Sequence, residues 1–237
     1  MNRPARGLHG QTVEILGAQI IRGRYGPGDP LYPEELEGEL GVSKTVVREA
    51  LRVLASKGLI ESRQKRGTFV RPRSDWHLLD SDLLRWQGIG IPDATFLENL
   101  GEVRGIVEPS AARFAALRRD DADLAALDTA LDRMAAAGSD AEAVIEADLA
   151  FHRALLGAAH NELLTQMEVV IEAGLRVRDR IVHGADAWAD AVPAHRAVLD
   201  AVRAQDPDAA ARAVLSLLVQ AADDVAHHID DGHGADG

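Results

Sequence analysis

The 237-residue sequence contains no cysteine, which excludes disulfides, thiolate metal sites and cysteine nucleophiles together. It has no apolar run approaching the ~20 residues that span a bilayer. Its opening, MNRPARGLHGQTVEIL, lacks the apolar stretch of a signal peptide. A cytoplasmic, nucleoid-associated protein with no membrane partner is expected. Hydrophobic residues make up 46% of the chain, enough for packed cores, so a disordered or low-complexity protein is excluded as well.

What is present is unevenly divided. The length fits two modest domains better than one large one. The net charge of -12 argues by itself against nucleic acid, but residues 1–74 carry +5 and residues 75–237 carry -17. A basic module joined to an acidic one suits a DNA reader with a separate sensor. The pattern changes at RPRSDW, residues 71–76. We expect a DNA-binding domain at 1–74, a linker and joint helix at 75–92, a helical domain at 93–230 and a disordered tail at 231–237.

In the first segment Val13, Leu16, Ile20 and Ile21 recur at helical spacing. GRYGPGDP then breaks the pattern with three glycines and two prolines. A short acidic helix over Pro33–Leu40 ends at Gly41, a C-cap glycine. Ser43 caps the next helix, whose Val47, Leu51 and Leu54 form one stripe until Gly58 stops it. LIES and TFVRP read as two strands around the turn RQKRG. Three helices followed by a β-hairpin is the order of a winged helix-turn-helix. In that fold the N-terminal residues of the second helix of the pair meet base edges and phosphates, here Ser43, Lys44, Thr45 and Arg48. Glu49 is assigned to bracing the fold. The hairpin tip offers Arg63, Lys65, Arg66 and Gly67 to phosphate or the minor groove. Each of these cations has the ordinary alternative of a solvated face.

The run VSKTVVREALRVLASKGLIESRQKRGTFV resembles the DNA-binding domain of the GntR family of regulators, across the whole N-terminal domain. One departure matters. Where that family opens its second helix with Ser-Glu-Arg, this chain reads LYPEELEGELG, with Glu35 near the arginine's place. Operator preference therefore does not carry over.

From Asp80 onward alanine is abundant, β-branched runs are rare and turn signals recur. They divide the region into an all-α antiparallel bundle of six or seven helices, so the fold class is mainly α. Asp140, Asn161 and Asp206 stand where N-caps belong. The informative residues are polar ones on apolar stripes. Arg104 and Glu108 interrupt the stripe of Leu100, Val107 and Ala111; Asp148 and His152 interrupt that of Val144, Phe151 and Leu155; His195 shares a face with Val198, Leu199 and Val202. Asp148 and His152 are one turn apart on one helix face. Two explanations fit: a structural Asp–His hydrogen bond, or a divalent metal (Zn²⁺, Ni²⁺ or Mn²⁺) held by Asp148, His152 and His195.

The order Arg104…Glu108-Pro109, Asp148-x-x-Phe151-His152 and His195-Arg196-Ala197-Val198-Leu199 resembles the FCD effector domain of the FadR-type GntR branch. That resemblance implies a metal held by one aspartate and three histidines, and its spacing puts the last histidine at Leu217. A three-ligand site is implied instead, most simply with zinc, leaving an open position for water or effector. Arg104 is the candidate anchor for an effector carboxylate, or else an intrahelical partner of Glu108. Trp188 either roofs the same cavity or anchors a loop, and Arg176 or Arg178 faces it. His160, His183, His227, His228 and His233 are expected to face solvent, and Trp76 and Trp86 to pack at the interdomain joint. RPRSDWHLLDSDLLRWQ resembles the sugar-acid-responsive members, which makes a sugar acid the first effector class and a dicarboxylate or hydroxy acid the second. The expected partners are a roughly palindromic double-stranded operator, a small carboxylate effector and a second copy of the chain. Two rivals are a bundle that only dimerises and a metal-dependent enzyme, the latter without any convincing nucleophile.

Overall fold

The structure is a computed structural model describing residues 7–89, 93–138, 140–182 and 191–233. The chain divides into two compact units, Met1–Ile89 and Gly90–Gly237.

In the first unit, α1 (Leu8–Ile21) buries Val13, Leu16 and Ile20. The glycine-proline stretch then leads to β1 (Pro30–Leu31) and α2 (Pro33–Leu40), which closes on Gly41 at φ 64, a left-handed turn that glycine adopts without strain. Helix α3 (Lys44–Ser56) starts where the Ser43 hydroxyl accepts the Val46 N–H at 3.4 Å, and it buries Val47, Ala50, Leu51 and Leu54. Strands β2 (Ile60–Arg63) and β3 (Gly67–Val70) form the expected antiparallel hairpin, with Arg63 opposite Gly67. The hairpin carries a third strand, because Pro30–Leu31 pairs with β3 to give the order β1-β3-β2. Two residues carry no periodicity to announce a strand, and only Leu31 of the pair is buried.

The stretch expected to be linker supplies part of this unit's core. Asp80 caps α4 (Ser81–Gln87), accepting from the Asp82 and Leu83 amides at 2.9 and 3.3 Å. Leu83 and Trp86 join Leu16, Ile20, Leu54 and Leu59 in one cluster. The Trp86 indole donates to Glu14 at 2.8 Å, Arg85 meets the same carboxylate at 2.6 Å, and Lys57 reaches Asp80 and Asp82 at 2.8 and 2.9 Å. Trp76 donates its indole N–H to the Arg71 carbonyl at 3.0 Å. The Trp86 ring lies flush on α1, and a Cβ on Gly17 would fall 2.4 Å from it.

The second unit contains seven helices among the described residues: α5 (Ala94–Arg118), α6 (Asp121–Ala136), α7 (Ala141–Ala158), α8 (Glu162–Gln166), α9 (Glu168–Ile181), α10 (Ala191–Arg203) and α11 (Pro207–His233). Asp140, Asn161 and Asp206 each cap the helix that follows. Ala111, Ala112, Ala115 and Ala116 make the inner face of α5 small, so that its neighbours pack close to its backbone. Phe151, Leu155, Val198, Leu199, Val214 and Leu217 fill the main core. Arg104 and Glu108 lie on the same buried side of α5.

A glycine-to-alanine change inside a helix ordinarily stabilises by about 1 kcal/mol, whereas overpacking a core costs about 1–3 kcal/mol. Gly17→Ala should therefore destabilise the first unit by up to about 2 kcal/mol. Urea unfolding of the full chain followed by tryptophan fluorescence measures it. A midpoint above the parent's would mean the ring is not seated on α1.

Candidate functional site

Three helices bring an ionisable cluster together inside the second unit. Asp148 and His152 come from α7, His195 from α10 and Glu108 from α5, each 2% exposed or less. His195 Nδ1 lies 2.7 Å from the Ala191 carbonyl, which can only accept, so Nδ1 carries a proton and Nε2 is the nitrogen left to face Asp148. That Nε2 is 2.8 Å from Asp148 Oδ1. Two lone pairs at this distance repel unless a second proton or a cation sits with them. His152 Nε2 approaches the same Asp148 oxygen at 3.4 Å, and its Nδ1 lies 2.8 Å from Glu108 Oε2. Neither Asp148 oxygen has a properly angled hydrogen bond from the protein. Phe151 shields the cluster, edge-on to His195 at 4.8 Å between ring centroids.

The electrostatics follow from these contacts. Burial opposes a charge on His152, but the Glu108 and Asp148 carboxylates outweigh it and push the imidazole up to about 9. Burial likewise opposes ionised Glu108, yet Arg104 and His152 hold it down at about 2. Asp148 is held well below the usual carboxylate range, against its burial, by His195 and His152. The cluster is thus built around two persistent negative charges that require positive partners.

A divalent ion would meet that requirement. The ligand atoms of Asp148, His152 and His195 all lie within 4.8 Å of one another. The observed 2.8 and 3.4 Å separations stand beside the roughly 3.3 Å edge expected of a tetrahedral zinc site with bonds of about 2.0 Å. Each histidine also has an acceptor behind its other nitrogen, as metal-bound imidazoles require. The residues therefore fit a metal, and they fit a proton-bridged Asp–His cluster on the same geometry. Leu217 offers no donor; it is buried in the main core.

Beside the cluster, a cavity of about 420 Å³ lies between α5, α9 and α11. Its wall is largely apolar, including Leu97, Leu100, Val177 and Leu218, with Arg104 and Arg178 as its charged members. Of the two sequence readings of Arg104, the pairing with Glu108 is present in the structure. Its Nε donates to Glu108 Oε1 at 2.5 Å, while its Nη2 is buried without a hydrogen-bond partner among the described residues. The side chain passes over Gly174, where a Cβ would come 2.9 Å from Arg104 Cδ. Arg178 contacts Asp224 at 2.9 Å, whereas Arg176 turns to Glu172 and Glu146 at 2.9 and 3.0 Å. Trp188 and His183 lie outside the described residues, as do the side chains of His227, His228 and His233. His160 is largely solvent-facing and meets Asp123 at 2.7 Å. Glu108's double contact and the Gly174 passage were not foreseen; only the four-residue spacing from Arg104 to Glu108 signals the first.

In the first unit, Ser43, Thr45 and Arg48 are exposed at the start of α3, and Lys44 pairs with Glu34. Glu49 pairs on the surface with Arg52, so its contact is within α3 and not a brace to another element. His9 shares a shallow depression with Thr45, Val46 and Glu49. At the hairpin tip Lys65 and Arg66 are exposed, Lys65 at φ 60 and Gly67 at φ 107. Arg63 stacks over Phe69 at 4.8 Å and pairs with Glu61 at 2.6 Å. Among the described residues no helix is long and apolar enough to cross a membrane.

Comparison with known proteins bears on both units. The family model for bacterial regulatory proteins of the gntR family matches residues 8–70, and that of the FCD domain matches residues 99–220. The galactonate operon transcriptional repressor of Escherichia coli (strain K12) is 41% identical over 211 residues, covering 88% of this chain and 92% of its own. The Uxu operon transcriptional regulator of the same organism is 34% identical over 156 residues, covering 62% and 57%. Among solved structures, Lar, which controls expression of the Listeria monocytogenes agr system, superposes with a TM-score of 0.71 at 18% identity, over 95% of this chain and 99% of that one. The fold class expected from the sequence is that of these relatives.

The charge pattern gives the metal-free protein a defined pH window. A raised His152 adds stability that is fully present below 6.5 and lost as pH rises through about 9. A lowered Glu108 adds stability present above 4.5 and lost as pH falls towards about 2, and Asp148 acts in the same sense. Melting temperatures of chelator-treated protein should fall between pH 6.5 and 9, and the fall should be smaller in His152→Gln. Equal slopes in the two proteins would reject the arrangement.

Proposed function

The chain belongs to the gntR family of bacterial regulatory proteins and carries an FCD domain, so it is a DNA-binding transcription regulator and not an enzyme; from that premise we propose that it represses a sugar-acid catabolic operon. Two copies present α3 and the hairpin tip to a roughly palindromic operator, with Ser43, Lys44, Thr45 and Arg48 at the groove and Arg63, Lys65, Arg66 and Gly67 at the flanking backbone. An acid bound in the second unit weakens that binding and releases the operon.

The observation that carries the sensor reading is that Arg104 lines the cavity and has a buried Nη2 with no hydrogen-bond partner among the described residues, while its Nε grips the cluster. Charge explains why a metal belongs with it. With His152 protonated, the charges of Arg104, His152, Glu108 and Asp148 cancel and leave nothing over for an acid. A divalent ion held by Asp148, His152 and His195 on neutral imidazoles raises the sum to one positive charge, which favours a carboxylate. Zinc suits the donor set, with nickel or manganese as alternatives.

The sugar-acid class rests on the 41% identity to a galactonate operon repressor. The cavity favours a second reading, because among the described residues no hydroxyl, amide or carboxylate side chain lines it. A hydroxy acid or dicarboxylate needs fewer hydrogen bonds from such a wall than a polyhydroxy acid does.

Thermal melts of zinc-loaded protein against aldonic, 2-keto-3-deoxy, short hydroxy and dicarboxylic acids separate these readings. An acid at 100 times its Kd stabilises by about 2.7 kcal/mol. The expected shift comes with one class and disappears on chelation or in Arg104→Ala. If no acid shifts the melt, the sensor reading falls and a bundle that only dimerises takes its place. For the reader, Arg48→Ala should cut operator affinity by about tenfold or more, equivalent to losing one charged contact of 1–3 kcal/mol. Operator binding by gel shift that matches the parent would remove Arg48 from the interface.

A further inference from the structure

Behind each imidazole of the cluster stands one fixed acceptor. For His195 it is the Ala191 carbonyl, 2.7 Å from Nδ1. For His152 it is Glu108 Oε2, 2.8 Å from Nδ1, a close ion-pair contact that lacks the angle of a hydrogen bond. Both rings bring Nε2 close to one oxygen, Asp148 Oδ1. The backbone carbonyl on α10 is an automatic partner one turn from His195. Glu108 is different: it is a charged side chain from another helix, 0% exposed, and its second oxygen takes the Arg104 Nε–H at 2.5 Å. Arg104 in turn can follow this path only because Gly174 has no side chain.

We propose that Glu108 is a positioning residue shared by the two halves of the sensor site, locking the His152 tautomer on one side and aiming Arg104 at the cavity on the other. The inference rests on the metal-and-acid reading given above. Its chemical core is that both neighbours of Glu108 are donors, so both of its oxygens must accept. Only a carboxylate can do this. A glutamine offers one acceptor and one donor: with its oxygen on Arg104, its amide N–H faces His152 Nδ1 and drives the ring proton to Nε2, where a ligand lone pair is required. Turned the other way, the amide N–H opposes the Arg104 N–H. Glu108→Gln keeps shape and volume but cannot satisfy both ends.

The test compares the full-length protein with Glu108→Gln in two ways. Zinc affinity, measured by competition with a chromogenic chelator, should fall by about 10–100-fold, the usual effect of losing a partner behind a metal-bound histidine. Nitrogen-15 NMR of the histidine rings in metal-free protein at pH ~10, above the value of about 9 for His152, should show the proton on Nδ1 in the parent and on Nε2 in the variant. A purely structural role would lower the melting temperature without moving that proton. Equal zinc affinity in the two proteins overturns the role of Glu108 and leaves the metal site standing. If the parent takes up no zinc, the metal reading itself fails and the ring proton alone decides on Glu108. Should the variant not fold, an Nε2-protonated His152 in the parent still overturns the proposal.

Discussion

Two carboxylates held ionised by their neighbours, Glu108 and Asp148, are buried among the helices of the second unit, and the arrangement of the polar side chains around them follows from that. An ionised group taken out of water must be met by opposite charge or by several donors. Here the partners come from different helices: Arg104 shares α5 with Glu108, His152 shares α7 with Asp148, and His195 is supplied by α10. The cluster is completed only when these helices dock, so it is also a check on their register. Well-packed apolar residues would serve stability equally well in such a place. A cluster of this composition is therefore better accounted for by binding than by folding.

The first unit solves a different problem, that of a small domain with a thin core. Three short helices and a three-stranded sheet bury modest side chains such as Val47, Leu54 and Val70. The large contribution arrives from outside the helix-turn-helix proper, when Trp86 of α4 settles on the bare backbone at Gly17. Glu14 then ties Arg85 and the indole to α1, and Lys57 ties the start of α4 to the end of α3. Removing α4 would take Leu83 and Trp86 out of the cluster that covers Leu16, so the reader is a unit of about ninety residues in physical terms.

These examples show which parts of the architecture can be read from a linear chain. Periodicity and caps are local, and they place α1 to α3, the hairpin and the helices of the second unit, including the caps Ser43, Asp140 and Asn161. The four-residue spacing puts Asp148 and His152 on one face, and the apolar stripe of α10 marks His195 as buried. What is not local is harder. Strand β1 is too short to have a period, and α4 reads as a joint helix outside the domain because its partner, Gly17, lies some seventy residues earlier. The bridge made by Glu108 depends on α5 meeting α7, and the passage at Gly174 on α5 meeting α9. Neither pairing leaves a trace in residue spacing.

The missing donor at Leu217 acquires a physical meaning in this setting. Four protein ligands close a tetrahedral ion and hold it for structure; three leave a coordination position for an exchangeable partner. Leu217 is packed in the main core, so for an ion held by Asp148, His152 and His195 it would leave that position open. The Arg104 guanidinium would supply the other half of such a contact, since the residue lines the cavity and its Nη2 has no hydrogen-bond partner among the described residues. An acid that reached both would relieve two unmet demands at once. A sensor of this kind keeps selectivity in the span between guanidinium and ion, and its apolar wall, lined by Leu97, Leu100 and Val177, penalises any hydroxyl that cannot reach either end.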